Sequence, residues 1–170
     1  MDFVGRLARA RIGETYNQYA GSAQRCERLG SYLEARRAAD VVLVGEAAGY
    51  RGARVSGIPF TSERQLSGTG PAEATATIVR RTLEELELDV LCWNVVPTHP
   101  GTPTTNRRPT AAEVTDSLPF LQELSRGRCV LAVGRLAAKV TGAPYVRHPS
   151  HGGATAFRAG LLRFRAGERL

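Results

Sequence analysis

The chain has 170 residues, of which 42% are hydrophobic and 23% are charged, a composition that suits one compact domain and excludes a fibrous or disordered chain. Its formal net charge is +7, and because Lys139 is the only lysine, arginine supplies nearly all of the positive charge. Guanidinium groups match phosphate oxygens, which favours a polyanionic partner, while a genome that prefers arginine codons explains the same charge without one.

The sequence also limits cofactors and location. Its three cysteines, Cys26, Cys92 and Cys129, show no C-x-x-C spacing, so we predict no metal, no disulfide framework and no cofactor. Cys92 and Cys129 lie in apolar runs and are predicted to be small core residues. The polar amino terminus lacks the apolar core of a signal peptide, and no apolar run is long enough to span a membrane. We therefore expect a cytoplasmic protein with no membrane partner.

In the first half of the chain, apolar periodicity predicts two helices, over residues 2–12 and 26–37. The short β-branched run 41–44 is typical of a strand buried on both faces of a parallel sheet. A short helix over 62–66 follows, and then a longer one over 71–88, in which Pro71 suits the first helical position.

The second half alternates strands with helices. Strands are predicted over 90–96, 129–133 and 144–147, and helices over 111–124, 135–140 and 155–164. The helix at 111 begins with a capping box, Thr110-Ala-Ala-Glu113. The repeated β-α order with parallel crossovers predicts an α/β fold, a single three-layer α/β/α domain over residues 1–170 with a central four-stranded parallel sheet.

Three polar residues stand at the ends of predicted strands, namely Glu46, Asn94 and His148. The carboxyl ends of parallel strands meet at one edge of a sheet, so these side chains are expected to line one pocket together with Phe60. Each also has a purely structural interpretation: a surface carboxylate, a backbone cap, a turn residue and an ordinary core ring. Trp93 precedes Asn94 on the same strand, points to the opposite face and is predicted to be core.

The loops near these strand ends carry further candidates. The glycines of Gly45-x-x-x-Gly49 allow close approach of backbone to a ligand, but the segment matches neither the dinucleotide fingerprint nor the phosphate loop. Arg107 and Arg108 form a doubly cationic loop that is either a phosphate clamp or a solvated turn. The glycine-containing loop after His148 offers backbone N–H groups to phosphates.

Together these segments resemble the uracil-DNA glycosylase superfamily, and their order and spacing are most similar to the bacterial family-four enzymes. The resemblance covers roughly residues 41–164. It rests on five motifs in order: Gly45-Glu46-Ala47-Ala48-Gly49, Gly57-Ile58-Pro59-Phe60, Asn94-Val95-Val96-Pro97, Asn106-Arg107-Arg108-Pro109-Thr110 with Glu113, and His148-Pro149-Ser150.

The resemblance implies an enzyme of DNA repair that flips deoxyuridine out of DNA and hydrolyses the N-glycosidic bond, releasing uracil and leaving an abasic site. It implies a catalytic role for Glu46, which would position or activate water or stabilise the cationic sugar. His148 would stabilise negative charge on a uracil oxygen. Phe60 would stack on the base, and Asn94 would bond its polar edge.

Further residues are assigned by the same resemblance. The pocket backbone would come from Gly45, Ala47 and Gly49. The DNA contacts would come from Arg107, Arg108, Ser150, His151 and Gly152. The implied partner is uracil-containing DNA, single or double stranded, and we expect the protein to act as a monomer.

The sequence departs from the superfamily pattern in several places. Ala47 stands where the best-known members carry Asp, and Gly49 stands where they carry the Tyr that excludes the thymine methyl group. The four cysteines that hold an iron–sulfur cluster in family-four enzymes are not matched, which predicts that this chain has no cluster. His151-Gly152-Gly153 stands where the best-known members carry an apolar wedge, so either duplex flipping is weak or another residue acts as the wedge.

Two alternatives follow from these departures. Gly49 is consistent with a glycosylase for another deaminated or mismatched base, such as hypoxanthine or thymine opposite G. The absent Asp and the absent wedge are consistent with a non-catalytic module that binds a base or nucleic acid without cleaving it. Such a module predicts salt-sensitive binding with no turnover.

Overall fold

The computed structural model describes residues 2–168, with a parallel sheet between two layers of helices. The strands are β1 (Val41–Ala47), β2 (Leu91–Val96), β3 (Cys129–Val133) and β4 (Tyr145–Val146). The helices are α1 (Phe3–Arg9), α2 (Ala23–Ala35), α3 (Ala53–Ser56), α4 (Glu63–Ser67), α5 (Ala74–Glu85), α6 (Ala111–Ser125), α7 (Arg135–Thr141) and α8 (Ala154–Arg165).

All strand pairs are parallel, and the order across the sheet is β2-β1-β3-β4. The chain first moves from β1 to β2 on one side and then crosses to β3 on the other side of β1. The register sets Gly45 beside Asn94 and Val44 beside Ala132. Such a reversal of strand order opens a crevice at the carboxyl ends of the strands, where open α/β sheets bind ligands.

Side chains that alternate along the strands build two cores. Val42, Val44 and Trp93 belong to one cluster, with apolar residues of α1, α2, α6 and α7. Leu43 and Leu131 belong to the other cluster, with residues of α5 and α8. Both faces of the sheet are therefore covered, which explains the uninterrupted apolar runs of its strands and confirms the predicted three-layer fold.

Several element boundaries differ from the predictions for physical reasons. α2 begins at Ala23 because the Ser22 side chain accepts a hydrogen bond from the backbone N–H of Arg25 and caps the helix one turn early. Pro71 is not helical: its carbonyl accepts a hydrogen bond from Arg64, and α5 begins at Ala74 instead. β1 runs on to Ala47, and the four-residue α3 was not predicted.

The predicted burial of aromatic and sulfur-containing residues holds in part. Trp93 is fully buried and Cys92 is buried, as predicted. The prediction that Cys129 is a core residue is wrong, because β3 enters the core only from Leu131 onward and the Cys129 side chain is exposed. Across residues 2–168, none of the helices is both long and apolar enough to cross a membrane.

Candidate active site

The carboxyl ends of all four strands open into one cavity of about 470 Å³. Glu46, Asn94, His148 and Phe60 all line it, although they come from three strand ends and one loop. The expectation that these four side chains share a pocket is therefore met. Its volume lies within the usual range for small-molecule sites.

Phe60 and Asn94 approach each other over a glycine. A Cβ atom at Gly45 would lie 2.9 Å from Cε2 of Phe60 and 2.8 Å from Oδ1 of Asn94, so a larger residue there would displace the ring or the amide. Asn94 is only 4% exposed, and its amide has no hydrogen-bond partner among the described residues. A buried amide normally has partners, so this one is free to bind a ligand.

Phe60 is held by a constrained loop. Its φ of 51° lies in the left-handed region, which a large aromatic residue rarely adopts. The Ser56 hydroxyl accepts a hydrogen bond from the Ile58 N–H and donates one to the Thr61 carbonyl, which closes the loop that carries Phe60. Backbone strain of this kind is characteristic of functional sites, and it fixes Phe60 against the cavity.

Glu46 lies near the end of β1 and is partly buried. Burial raises the pKa of its carboxyl group, and the positive charge of Arg108 opposes this shift. A carboxylate in this position can stabilise a nearby cation or orient a water molecule.

His148 has a defined pattern of hydrogen bonds. The backbone N–H of Ser150 donates to its Nδ1 atom at 3.2 Å, and the Ser150 hydroxyl lies 2.7 Å from the same atom. Nδ1 is thus an acceptor, so the neutral ring carries its proton on Nε2. Burial lowers the pKa of His148, as do the charges of Arg147 and His151. The neutral imidazole is therefore favoured, with Nε2–H available as a donor.

The loop after His148 turns sharply. His151 and Gly152 both have left-handed backbone, with φ of 51° and 73°, and both are exposed. A Cβ atom at Gly153 would overlap the His148 carbonyl, so the turn requires glycine there. Ser150 and His151 line the cavity, whereas Gly152 lies at the loop tip outside it.

The two adjacent arginines have different surroundings. Arg107 forms a two-pronged ion pair with Glu113, at 2.6 and 2.8 Å, and the Glu113 side chain is only 2% exposed. Glu113 also accepts the Thr110 N–H in the predicted capping box. Arg108 is exposed, lines the cavity and has no ion pair within the described part of the chain. Of the two, Arg108 has the guanidinium that is free to meet a phosphate.

Sequence reasoning missed several residues of the cavity. Arg135 and Arg147 add two exposed cations to its lining, and Tyr145 adds a ring that is 40% exposed. All three follow or belong to strands that the sequence did identify. Their positions near these strands could therefore have placed them in the site. Glu73, in the segment before α5, also lines the cavity and had no such signal.

His99 ties two loops of the site together. It is fully buried, with Nδ1 at 2.7 Å from the Ala48 carbonyl oxygen and Nε2 at 2.8 Å from the Thr102 carbonyl oxygen. Each ring nitrogen thus lies within hydrogen-bonding distance of a backbone carbonyl oxygen, one in each loop. The bond to Ala48 anchors the loop that follows Glu46.

The cavity thus combines a presented aromatic ring, an unpartnered amide, a neutral imidazole donor and a partly buried carboxylate, with exposed arginines in its lining. A ring and an amide recognise a planar polar heterocycle, and cations favour phosphate. Together with a sheet that binds ligands at its carboxyl edge, these features define a site for the base of a nucleotide.

Comparison with known proteins identifies the family. The family model of the Uracil DNA glycosylase superfamily matches residues 33–163, and the chain belongs to this superfamily. Among solved structures, wild-type SMUG2 of Pedobacter heparinus is similar in fold, with a TM-score of 0.67, 13% sequence identity and 98% of each chain covered. A search of curated proteins found no match. The protein is a DNA glycosylase by family, as the five motifs predicted.

Proposed function

We propose that this protein is a monofunctional uracil-DNA glycosylase that acts on deoxyuridine flipped out of DNA. The observation that carries the proposal is the buried amide of Asn94, which has no partner in the described chain and lies beside Phe60. We also propose that the protein acts in the cytoplasm as a monomer.

Base recognition follows from the chemistry of the amide. Asn94 Oδ1 accepts the N3–H of uracil, while its NH₂ group donates to O4. Phe60 stacks on the face of the ring. Cytosine presents an amino group and an unprotonated N3 at the same edge, the opposite donor and acceptor pattern, so it pairs only with an amide turned by about 180°.

His148 supports cleavage of the glycosidic bond. As the bond between C1′ and N1 breaks, its electron pair moves onto the base and negative charge develops on O2. The Nε2–H of neutral His148 donates to this oxygen and stabilises the anion. The hydrogen bonds from Ser150 fix the ring with this proton directed away from Nδ1.

Glu46 acts on the sugar side of the reaction. Its negative charge stabilises the cationic sugar, and it orients the water whose oxygen adds to C1′. The water gives up a proton, the base gains one, and the products are free uracil and an abasic site. Arg108, Arg147 and backbone N–H groups near Ser150 hold the flanking phosphates. Tyr145 is the exposed ring in the cavity lining that can fill the space left by the flipped base.

The test uses an end-labelled oligonucleotide with one deoxyuridine, presented single stranded or opposite G or A, followed by alkali to cut abasic sites. We expect strand cleavage by the wild-type protein and a loss of at least about 100-fold for Glu46→Gln. Glu27→Gln, an exposed glutamate on α2, is the matched control and should retain activity. Wild-type protein that binds the DNA but leaves no abasic site would refute the proposed glycosylase activity and support a binding module.

A second candidate function is release of hypoxanthine. The favouring observation is that Gly49 brings no side chain to the cavity that it lines. Oligonucleotides with deoxyinosine, or with thymine opposite G, therefore belong in the same assay. Cleavage of these alone would retain the glycosylase and change its substrate.

A further inference from the structure

Glu73 lies against two glycines at the wall of the base pocket. A Cβ atom at Gly49 or at Gly52 would overlap a carboxylate oxygen of Glu73. Neither glycine has a positive φ, and the atoms that a Cβ would meet are the carboxylate end of the Glu73 side chain, so a side chain at either position would have to displace this carboxylate. The carboxylate of Glu73 therefore occupies the volume that side chains at Gly49 and Gly52 would otherwise fill.

The Glu73 carboxylate has no hydrogen bond or ion pair among residues 2–168. It is partly buried, and burial raises its pKa. An enclosed carboxyl group without partners destabilises a fold, since nothing compensates its lost hydration. Its backbone caps α5, but a cap does not require the side chain to lie in the cavity.

The orientation of the base decides what Glu73 meets, and this step rests on the proposed function. Asn94 forms hydrogen bonds with N3–H and O4 of uracil, and His148 forms one with O2. The edge that remains carries C5 and C6. The part of the lining not used by these contacts includes Gly49 and Glu73.

We propose that Glu73 is a specificity-determining residue whose carboxyl group closes the pocket beside Gly49 and limits the base to one with hydrogen at C5. Uracil fits against this wall. The methyl group of thymine occupies the same volume as the carboxyl group. Discrimination comes from the volume of the side chain, so an isosteric amide preserves it and a truncated side chain removes it.

The test measures single-turnover release of uracil and of thymine, each opposite G, by wild-type protein and by Glu73 variants. We expect Glu73→Ala to raise the ratio of thymine to uracil release by about tenfold or more, the range that one methyl group contributes in a pocket. Glu73→Gln should leave the ratio within about threefold of wild type. Glu27→Ala, on the exposed surface of α2, is the control for loss of a negative charge.

Thermal unfolding tests the contact independently of activity. Gly49→Ala should lower the melting temperature in the wild-type background, and much less in the Glu73→Ala background, because the overlapping carboxylate is gone. Equal losses in the two backgrounds would refute the contact.

The two proposals fail in different ways. An active Glu73→Ala variant with an unchanged ratio would overturn the inference alone, as would wild-type protein that releases thymine as readily as uracil. Wild-type protein that releases no uracil would overturn the proposed function and the inference with it.

Discussion

Arg107 and Arg108 are adjacent, but only the substitution of Arg107 is expected to reduce stability. Arg107→Ala removes both guanidinium contacts of Glu113 and leaves a buried carboxylate with the Thr110 N–H. Breaking a buried ion pair costs about 3–5 kcal/mol, and partial exposure lowers that figure. Because the Arg107 side chain is 39% exposed, we expect a loss of about 2–3 kcal/mol in the free energy of unfolding.

For a chain of this length, such a loss lowers the melting temperature by about 5–10 °C, which circular dichroism measures directly. Arg108→Ala is the matched control, and its free energy of unfolding should change by less than about 0.5 kcal/mol. Arg108→Ala should instead weaken DNA binding and reduce the slope of log affinity against log salt by about one. Equal melting temperatures for the two variants would contradict this division of roles.

The pH dependence gives a second check on the same pair. The hydrogen bonds from Arg107 lower the pKa of Glu113 to about 2, against its opposing burial. A lowered carboxyl pKa contributes stability that is fully present above the unfolded value of about 4.5 and is lost as the pH falls towards 2. The difference between wild type and Arg107→Ala should therefore be largest near neutral pH and shrink in acid. A difference that persists undiminished at pH 3 would refute the assignment.

Three further predictions concern the pocket. Asn94→Ala should reduce uracil release by at least about 100-fold in single-turnover assays, because both bonds to the base edge are lost; equal rates would exclude Asn94 from base recognition. Activity should fall in acid as His148 gains a proton. Arg147→Gln removes a positive charge that lowers the pKa of His148, so it should move this loss of activity to higher pH. A pH profile that does not move would argue against the role of His148. His99→Leu removes the ring contacts with the Ala48 and Thr102 carbonyls and should destabilise the protein by about 2 kcal/mol or more in denaturant titrations, whereas an unchanged midpoint would show that His99 does not hold these two loops together.

The fold was predictable because the strands are buried on both faces. Runs such as 41–44 carry no helical periodicity, and the segments between them do, so the β-α order follows directly. The start of α5 was not predictable from Pro71, because a tertiary hydrogen bond between the Arg64 N–H and the Pro71 carbonyl keeps that segment extended. The exposure of Cys129 depends on where β3 enters the core, which local sequence does not encode.

The site was predictable to the extent that it depends on strand ends. Asn94 and His148 lie near the carboxyl ends of two strands that run in the same direction, so the parallel topology alone brings them to one edge of the sheet. Glu73 was missed because Gly49 and Glu73 both lie outside helices and strands, so no periodic pattern brings them together. The ion pair of Arg107 was missed because the capping-box pattern predicts only that Glu113 caps the start of α6, and not that it also binds Arg107.

The most direct test of the central claim is quantification of the free base released from DNA. A duplex and a single strand, each with one deoxyuridine, are incubated with excess protein, and released bases are measured by mass spectrometry beside abasic sites. We expect uracil and abasic sites in equal amounts, and a rate at least about 100-fold lower for His148→Ala, the loss typical of a donor to a developing oxyanion. Release of no free base, or undiminished release by His148→Ala, would contradict the account.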